Sequence, residues 1–93
     1  MTARLSRHAS IRAQQRGIPR SVLNNIYRFG EVRNASGAIS YFLTKEALAD
    51  ASAELSKQEV QQLSRFRDVY LVVGDQQKVI TAARAHDLDF RIN

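Results

Sequence analysis

A histidine and two arginines on one predicted helix face are the residues of this sequence best suited to chemistry. His8 and Arg12 are four residues apart, which makes them neighbours on a helix, and Arg16 follows one turn later. Histidine can accept or donate the protons exchanged when RNA is cleaved at its 2′-hydroxyl. Arginine binds phosphate and stabilises the charge that develops on it. This spacing favours metal-independent RNA cleavage with His8 as the proton-transfer residue; the alternative is a solvated polar helix face.

The first third of the sequence carries positive charge that no acid offsets. Residues 1–30 contain no Asp or Glu and six arginines: Arg4, Arg7, Arg12, Arg16, Arg20 and Arg28. Residues 45–68, by contrast, hold four basic and five acidic residues. An excess of one sign attracts polyanions, and the planar guanidinium fits phosphate oxygens and guanine edges. We expect five of the six, Arg4 excepted, to contact nucleic acid; a basic face that only promotes solubility is the alternative.

The length and composition predict one globular domain, residues 1–93, in the cytoplasm. With 44% hydrophobic and 25% charged residues, the chain is typical of folded proteins. It has no cysteine, which excludes disulfides and thiolate metal sites and fits a reducing compartment. No apolar run approaches the roughly 20 residues of a membrane span, and no secretory signal is visible. We therefore expect no membrane association and no cofactor.

Motifs of several enzyme and binding classes are absent or weak. The sequence has no Gly-rich phosphate loop and no nucleophile elbow. His86, Asp87 and Asp89 come nearest to a metal-binding trio, but they lie in the tail without a second anchor, and we expect no metal. A helix-turn-helix at residues 6–29 would bind DNA by sequence, although that motif normally sits among further helices rather than β-hairpins.

Capping signals predict a helical hairpin at the start of the chain. The first helix begins at Ser6, a suitable N-cap, and ends at Gly17, which can adopt the left-handed conformation. Pro19 fits the first turn of a second helix, and Gly30 ends that helix. The two helices therefore meet at a short corner.

Two β-hairpins are predicted after this helical hairpin, with a helical insert between them. Their strands are residues 31–36 with 38–43, and residues 68–73 with 78–84. Residues 45–65 predict two helices, or one broken near Ser56, where Ser56 and Glu59 match a capping box. The fold class is therefore α+β, in the order α-α-β-β-α-α-β-β. Both hairpins are expected to form one antiparallel sheet covered by helices on one side.

The last predicted strand adds a second group of polar residues. Alternation along 78–84 places Thr81 on one face and Arg84 on the other, at the end of the strand. We expect Arg84 to emerge beside a cleft and to bind phosphate with Arg12; an edge arginine that guards against aggregation is the alternative. Tyr41 and Tyr70 can stack on bases, or pack within the sheet.

Several short motifs, in this order, resemble a family of small bacterial domains of unknown function. The sharpest is the opening H-A-x-x-R-x-x-Q-R-G-I, from His8 to Ile18. The likeness continues through FGE at 29–31, GAISYFL at 37–43, and YLVV at 70–73 with VIT at 79–81. That family is distantly similar to the RelE/BrnT-like toxins, whose α/β fold is shared by several metal-independent ribonucleases.

The resemblance implies an RNA-cleaving or RNA-binding domain from a toxin–antitoxin system or a mobile element. His8, Arg12 and Arg16 match the polar residues of the opening helix, and Thr81 and Arg84 match those of the closing strand. The implied catalytic set is His8, Arg12, Thr81 and Arg84. The long helical insert departs from the compact toxins, and their complete catalytic set is not recognisable here.

Two functional hypotheses follow. In the first, the chain is a RelE/BrnT-like, metal-independent ribonuclease toxin that binds RNA in a basic cleft between the helical hairpin and the closing strand. In the second, it is a non-catalytic module that binds nucleic acid or an acidic protein surface, as an accessory, inhibitor or regulatory protein would. The expected partners are RNA or another acidic partner, with an antitoxin or a host or phage protein as candidates.

Overall fold

The computed structural model describes residues 3–35, 38–74 and 77–84. Four helices and five strands alternate along these residues in an α+β arrangement. In chain order the elements are β1 (Arg4–Leu5), α1 (Arg7–Gln15), α2 (Arg20–Phe29), β2 (Glu31–Ala35), β3 (Ala38–Phe42), α3 (Lys45–Ser52), α4 (Lys57–Ser64), β4 (Val69–Val73) and β5 (Lys78–Arg84).

The five strands form one mixed sheet in the order β1-β5-β4-β3-β2. The pairs β2–β3, β3–β4 and β4–β5 are antiparallel, whereas β1 runs parallel to β5. The predicted fold of four strands in a purely antiparallel sheet is therefore wrong. The missed strand has two residues, too few for alternation to show, and its partner lies more than seventy positions along the chain.

Local capping explains where the helices begin. The side chains of Ser6 and Thr44 each accept a hydrogen bond from a backbone N–H three residues later, at 3.0 Å, and so cap α1 and α3. Before α4, Ser56 and Glu59 form the predicted capping box. Gly17 has φ +66 in the corner between α1 and α2, a conformation that costs glycine little.

All four helices pack on the same face of the sheet. They contribute Ala9 and Ala13 of α1, Val22, Leu23 and Ile26 of α2, Ala47 and Ala51 of α3, and Leu63 of α4 to one buried cluster. The same cluster takes Leu71 from β4 and Val79 from β5. Tyr70 alternates with Leu71, so it points to the opposite face, where it forms a small second cluster with Phe42 and Ala83.

A bulge in β5 decides which side chains face the helices. Val72 pairs with Thr81 and Val73 pairs with Val79, so Ile80 is the extra residue, and 41% of its surface is exposed. Because of this extra residue, Val79 and Ala82 both enter the helix-side core, although strict alternation would separate them. Thr81 consequently lies on the face away from the helices, and Lys78 lies on that face too.

Candidate nucleic-acid interface

Two of the predicted nucleic-acid contacts, Arg20 and Arg28, are engaged within the protein. The Arg20 guanidinium donates to the carbonyl oxygen of Ala3 at 2.8 Å. Arg28 donates to the Glu54 carboxylate at 2.6 Å and lies 4.7 Å from the centre of the Phe29 ring. These contacts join α2 to Ala3 and to the segment between α3 and α4, so both arginines help to position the helices.

Arg84 is also held by a carboxylate. Its Nη1 donates to Oδ1 of Asp68 at 2.6 Å, and its guanidinium lies 5.2 Å from the centre of the Phe66 ring. Arg84 pairs with Val69 on the helix side of the sheet, whereas Thr81 lies on the other side. The two residues predicted from the closing strand therefore belong to different faces.

The predicted residues of α1 lie on its outer surface. Ala9 and Ala13 are buried on the inner side of the helix, which packs over β5, and this leaves His8 and Arg12 exposed. Arg7 is exposed as well, and Arg16 is half-buried at the helix C-cap. Among the described residues, no hydrogen bond or ion pair joins His8 or Arg12 to Thr81 or Arg84.

The structure adds two cations that the sequence-based site did not contain. Arg4 of β1 and Lys78 of β5 are direct neighbours in the parallel pair. Leu5 and Val79 pack into the helix-side core, so Arg4 and Lys78 both lie on the opposite face. Like charges directly opposite one another destabilise a strand pair. The Arg4–Lys78 pair therefore favours an anion beside it.

We use the name basic edge for four cations at the edge of the sheet that β1 forms: Arg4 and Lys78 on the face away from the helices, and Arg7 and Arg12 on α1, over the other face. The elements β1, α1 and β5 contain no Asp or Glu. Within the described ranges, no carboxylate pairs with any of these four side chains. His8 and Ile11 are exposed among them, with 45% of Ile11 accessible to solvent. This surface faces solvent, and its positive charge suits contact with phosphate.

A cleft of about 250 Å³ lies between α1 and α2, close to the basic edge. Its lining residues are Leu5, Ser10, Ala13, Gln14, Ile18, Arg20 and Leu23. Neither His8 nor Arg12 is among them, and no residue of β5 lines it. The cleft can therefore accept a small polar group, but it is not the predicted cleft between the helical hairpin and the closing strand.

The two tyrosines considered for base stacking pack within the protein. Tyr70 is buried, with 4% of its surface exposed. The Tyr41 ring lies 5.0 Å from the Tyr27 ring. Burial raises the pKa of the Tyr41 phenol above its ordinary value, and the neighbouring Tyr27 raises it further. The Tyr41 phenol therefore stays neutral at physiological pH, and both rings pack within the protein rather than forming an open stacking platform.

The described residues contain no group of three or more His, Cys, Asp or Glu side chains that could hold a metal ion. His86, Asp87 and Asp89, which come nearest to a metal-binding trio in the sequence, lie outside the described residues. In the same part of the chain, no helix has the length and apolar character needed to cross a membrane. Comparisons with models of protein families, with curated proteins and with solved structures found no match to this chain.

Proposed function

We propose that this chain binds RNA through the basic edge, mainly by contacts to phosphate. The observation that carries the proposal is the register of β1 and β5, which holds Arg4 directly beside Lys78. A phosphate between the two would replace their repulsion with two favourable contacts. Arg7 and Arg12 add positive charge on α1, which covers the other face of the sheet, and release of counterions from the RNA backbone would drive binding.

The packing of α2 argues against sequence-specific DNA binding by a helix-turn-helix. In that motif the second helix must be free to enter the major groove. Here Ser21 of α2 donates its hydroxyl hydrogen to Gln62 of α4 at 3.2 Å, and Arg28 pairs with Glu54, between α3 and α4. The insert therefore occupies the surface that would face DNA. A single strand of RNA has no such requirement, because contacts to phosphate do not need a helix to enter a groove.

Binding is tested by the fluorescence anisotropy of a labelled single-stranded RNA, titrated at several salt concentrations. The double variant Arg4→Ala/Lys78→Ala should bind at least about tenfold more weakly and lower the slope of log affinity against log salt by about 1.4, for two single-strand phosphate contacts. Arg28→Ala is the matched control, because its guanidinium is paired with Glu54. Equal affinity of the double variant and the control would contradict the proposal.

A second candidate function is metal-independent RNA cleavage, and the exposed position of His8 beside Arg12 favours it. As general base, the His8 imidazole would take the proton of a ribose 2′-hydroxyl. The 2′-oxygen then attacks phosphorus, the 5′-oxygen leaves with a proton from water, and a 2′,3′-cyclic phosphate remains. Arg12 would stabilise the charge on phosphate. Arg84 and Thr81 are not needed in this scheme.

Cleavage is tested by incubating excess protein with RNA in the presence of EDTA and identifying the ends produced. Products with 2′,3′-cyclic or 3′-phosphate ends, lost in His8→Ala while RNA binding persists, would support the enzyme. Intact RNA after long incubation would contradict the cleavage function, and only the proposed RNA binding would remain. In a toxin–antitoxin setting, the antitoxin would be an acidic protein that covers the basic edge. Its binding should then weaken as the salt concentration rises. A protein partner whose binding does not weaken with salt would instead favour an interface that does not depend on charge.

A further inference from the structure

The sheet has two edges, and they differ in length. β1 covers one edge with only two residues, whereas β2 forms the other with five, Glu31–Ala35. Strand β2 pairs with β3 on its inner side, and no described strand pairs with its outer side. Residues 31–34 are exposed, and Val32 has 55% of its surface accessible. An edge of this length presents a row of backbone donors and acceptors to another strand.

Natural edge strands are commonly protected by charged side chains, above all lysine, by proline or by a bulge. Strand β2 has no proline or lysine, and its pairing with β3 is regular over all five positions. Its charges alternate with uncharged residues: Glu31 and Arg33 point to one face, and Val32 and Asn34 point to the other. The Arg33 guanidinium lies 5.5 Å from the centre of the Phe42 ring, which holds it over that face.

The charges on this edge are complementary to the charges of the same edge in a second copy. In an antiparallel pair centred on Val32, Glu31 lies opposite the partner's Arg33, and Arg33 lies opposite the partner's Glu31. A pair centred on Arg33 would instead place two guanidinium groups opposite each other, which is unfavourable. Within the described ranges, neither Glu31 nor Arg33 pairs with an opposite charge of its own chain.

The other face of β2 also suits a second copy. In the register centred on Val32, the two Val32 side chains meet across the two-fold axis. Ile39, with 36% of its surface exposed, lies beside them on the same face, because it pairs with Asn34. Pairing would therefore bury Val32, the most exposed large hydrophobic side chain among the described residues.

We infer that two copies of this chain associate through β2, as an antiparallel pair centred on Val32, to form one continuous sheet. Such an interface is isologous, so each copy contributes the same residues. It lies at the opposite edge of the sheet from the basic edge. The dimer therefore leaves Arg4 and Lys78 accessible and does not depend on the proposed RNA binding.

Charge exchange tests this interface. We expect the native chain to sediment as a dimer at high concentration and as a monomer on dilution. Glu31→Arg and Arg33→Glu should each weaken dimerisation at least about tenfold, because each replaces two attractive pairs with two repulsive ones. The double variant Glu31→Arg/Arg33→Glu should restore it. Mixing the two single variants should give a heterodimer, since one then carries two arginines and the other two glutamates.

Asp50→Arg is the matched control, with the same charge change on an exposed side chain of α3. It should leave dimerisation unchanged. Circular dichroism of each variant confirms that the fold is retained. A monomer at every concentration, a dimer that Glu31→Arg does not weaken, or two single variants that stay apart on mixing would each overturn the inference.

Discussion

The cations beside the helical insert and those of the basic edge differ in what surrounds them. Arg28 and Arg84 each donate to a carboxylate at 2.6 Å, and those carboxylates, Glu54 and Asp68, flank or belong to the insert. Arg4 and Lys78 lie next to each other instead, on strands that contain no acid. The acids in and beside the insert therefore divide the basic residues into one group that is paired with carboxylates and another that is not.

This difference changes how the positive charge of the sequence should be interpreted. A run of arginines without acids is continuous along the chain, but charge neutralisation occurs in space. The acids come from Glu54, between α3 and α4, and from Asp68, just before β4. Surface ion pairs contribute little to stability, yet they do remove a cation from the set available to a ligand. All arginines count equally in the net charge of +5, but those paired with a carboxylate are less available to a ligand than the others.

The largest effect is expected from Leu71→Ala, which tests whether the two regions share one core. Leu71 is fully buried on β4 in the cluster that joins α1 to the insert helices. Its loss should lower the free energy of unfolding by about 2–5 kcal/mol. Urea denaturation followed by circular dichroism should still show one transition. Two separate transitions would mean that the insert and the basic edge fold independently.

Asp68→Asn removes the acid that holds Arg84 and should have an intermediate effect. Both side chains are partly exposed, at 28% for Arg84 and 37% for Asp68, so the loss should be about 0.5–1 kcal/mol. The urea midpoint measures it, with Asp50→Asn as the control. RNA affinity should rise only slightly, because Arg84 is not part of the basic edge; a large rise would show that the division of cations is wrong.

Arg12→Ala and Arg28→Ala remove the same charge from the two groups of cations. Arg12→Ala should lower the salt slope of RNA binding by about 0.7, for one single-strand phosphate contact, and leave stability nearly unchanged. Arg28→Ala should do the reverse, with a stability loss of about 0.2–1 kcal/mol for an exposed pair and an unchanged salt slope. Fluorescence anisotropy measures the RNA binding of both variants, and urea titration measures their stability. If the two variants behave equally in both assays, the division between paired arginines and RNA-binding arginines is wrong.

The smallest effect concerns the insert alone. Hydrogen bonds from the Ser56 backbone and side chain lower the pKa of the Glu59 carboxyl below its ordinary value. A depressed folded-state pKa contributes stability above the unfolded-state value, and that stability is lost as the pH falls through the folded-state value. The urea midpoint of the native chain should therefore fall slightly more on acidification than that of Glu59→Gln. Parallel pH profiles would show that this capping box does not stabilise the folded chain measurably.

Local signals in the sequence identified most helices and the two long hairpins, since caps and periodicity involve residues close together in the chain. The α1 cap at Ser6 and the capping box at Ser56 and Glu59 lie where the sequence indicated. The start of α2 differs slightly, because Pro19 is its N-cap rather than a residue of its first turn. The turn at Gly37 lies outside the described residues.

The candidate site was less predictable. His8 and Arg12 are exposed on α1, as the helical spacing suggested, but the carboxylates beside Arg28 and Arg84 come from residues 26 and 16 positions away. Sequence spacing cannot show such pairs. Thr81 and Arg84 were correctly assigned to opposite faces. The bulge at Ile80 was not predicted, because it shows only in the pairing with β4, where Ile80 has no partner.

The sequence by itself determined the helices, the long strands and the excess of arginine over acid at the start of the chain, because these depend on local propensity and composition. Only the tertiary structure decided that β1 joins the sheet parallel to β5, that Arg4 lies beside Lys78, and that Arg28 and Arg84 are neutralised. The physical reason is that a strand pair or an ion pair depends on distance in space. Packing of the helices over the sheet sets that distance, and no single segment contains it.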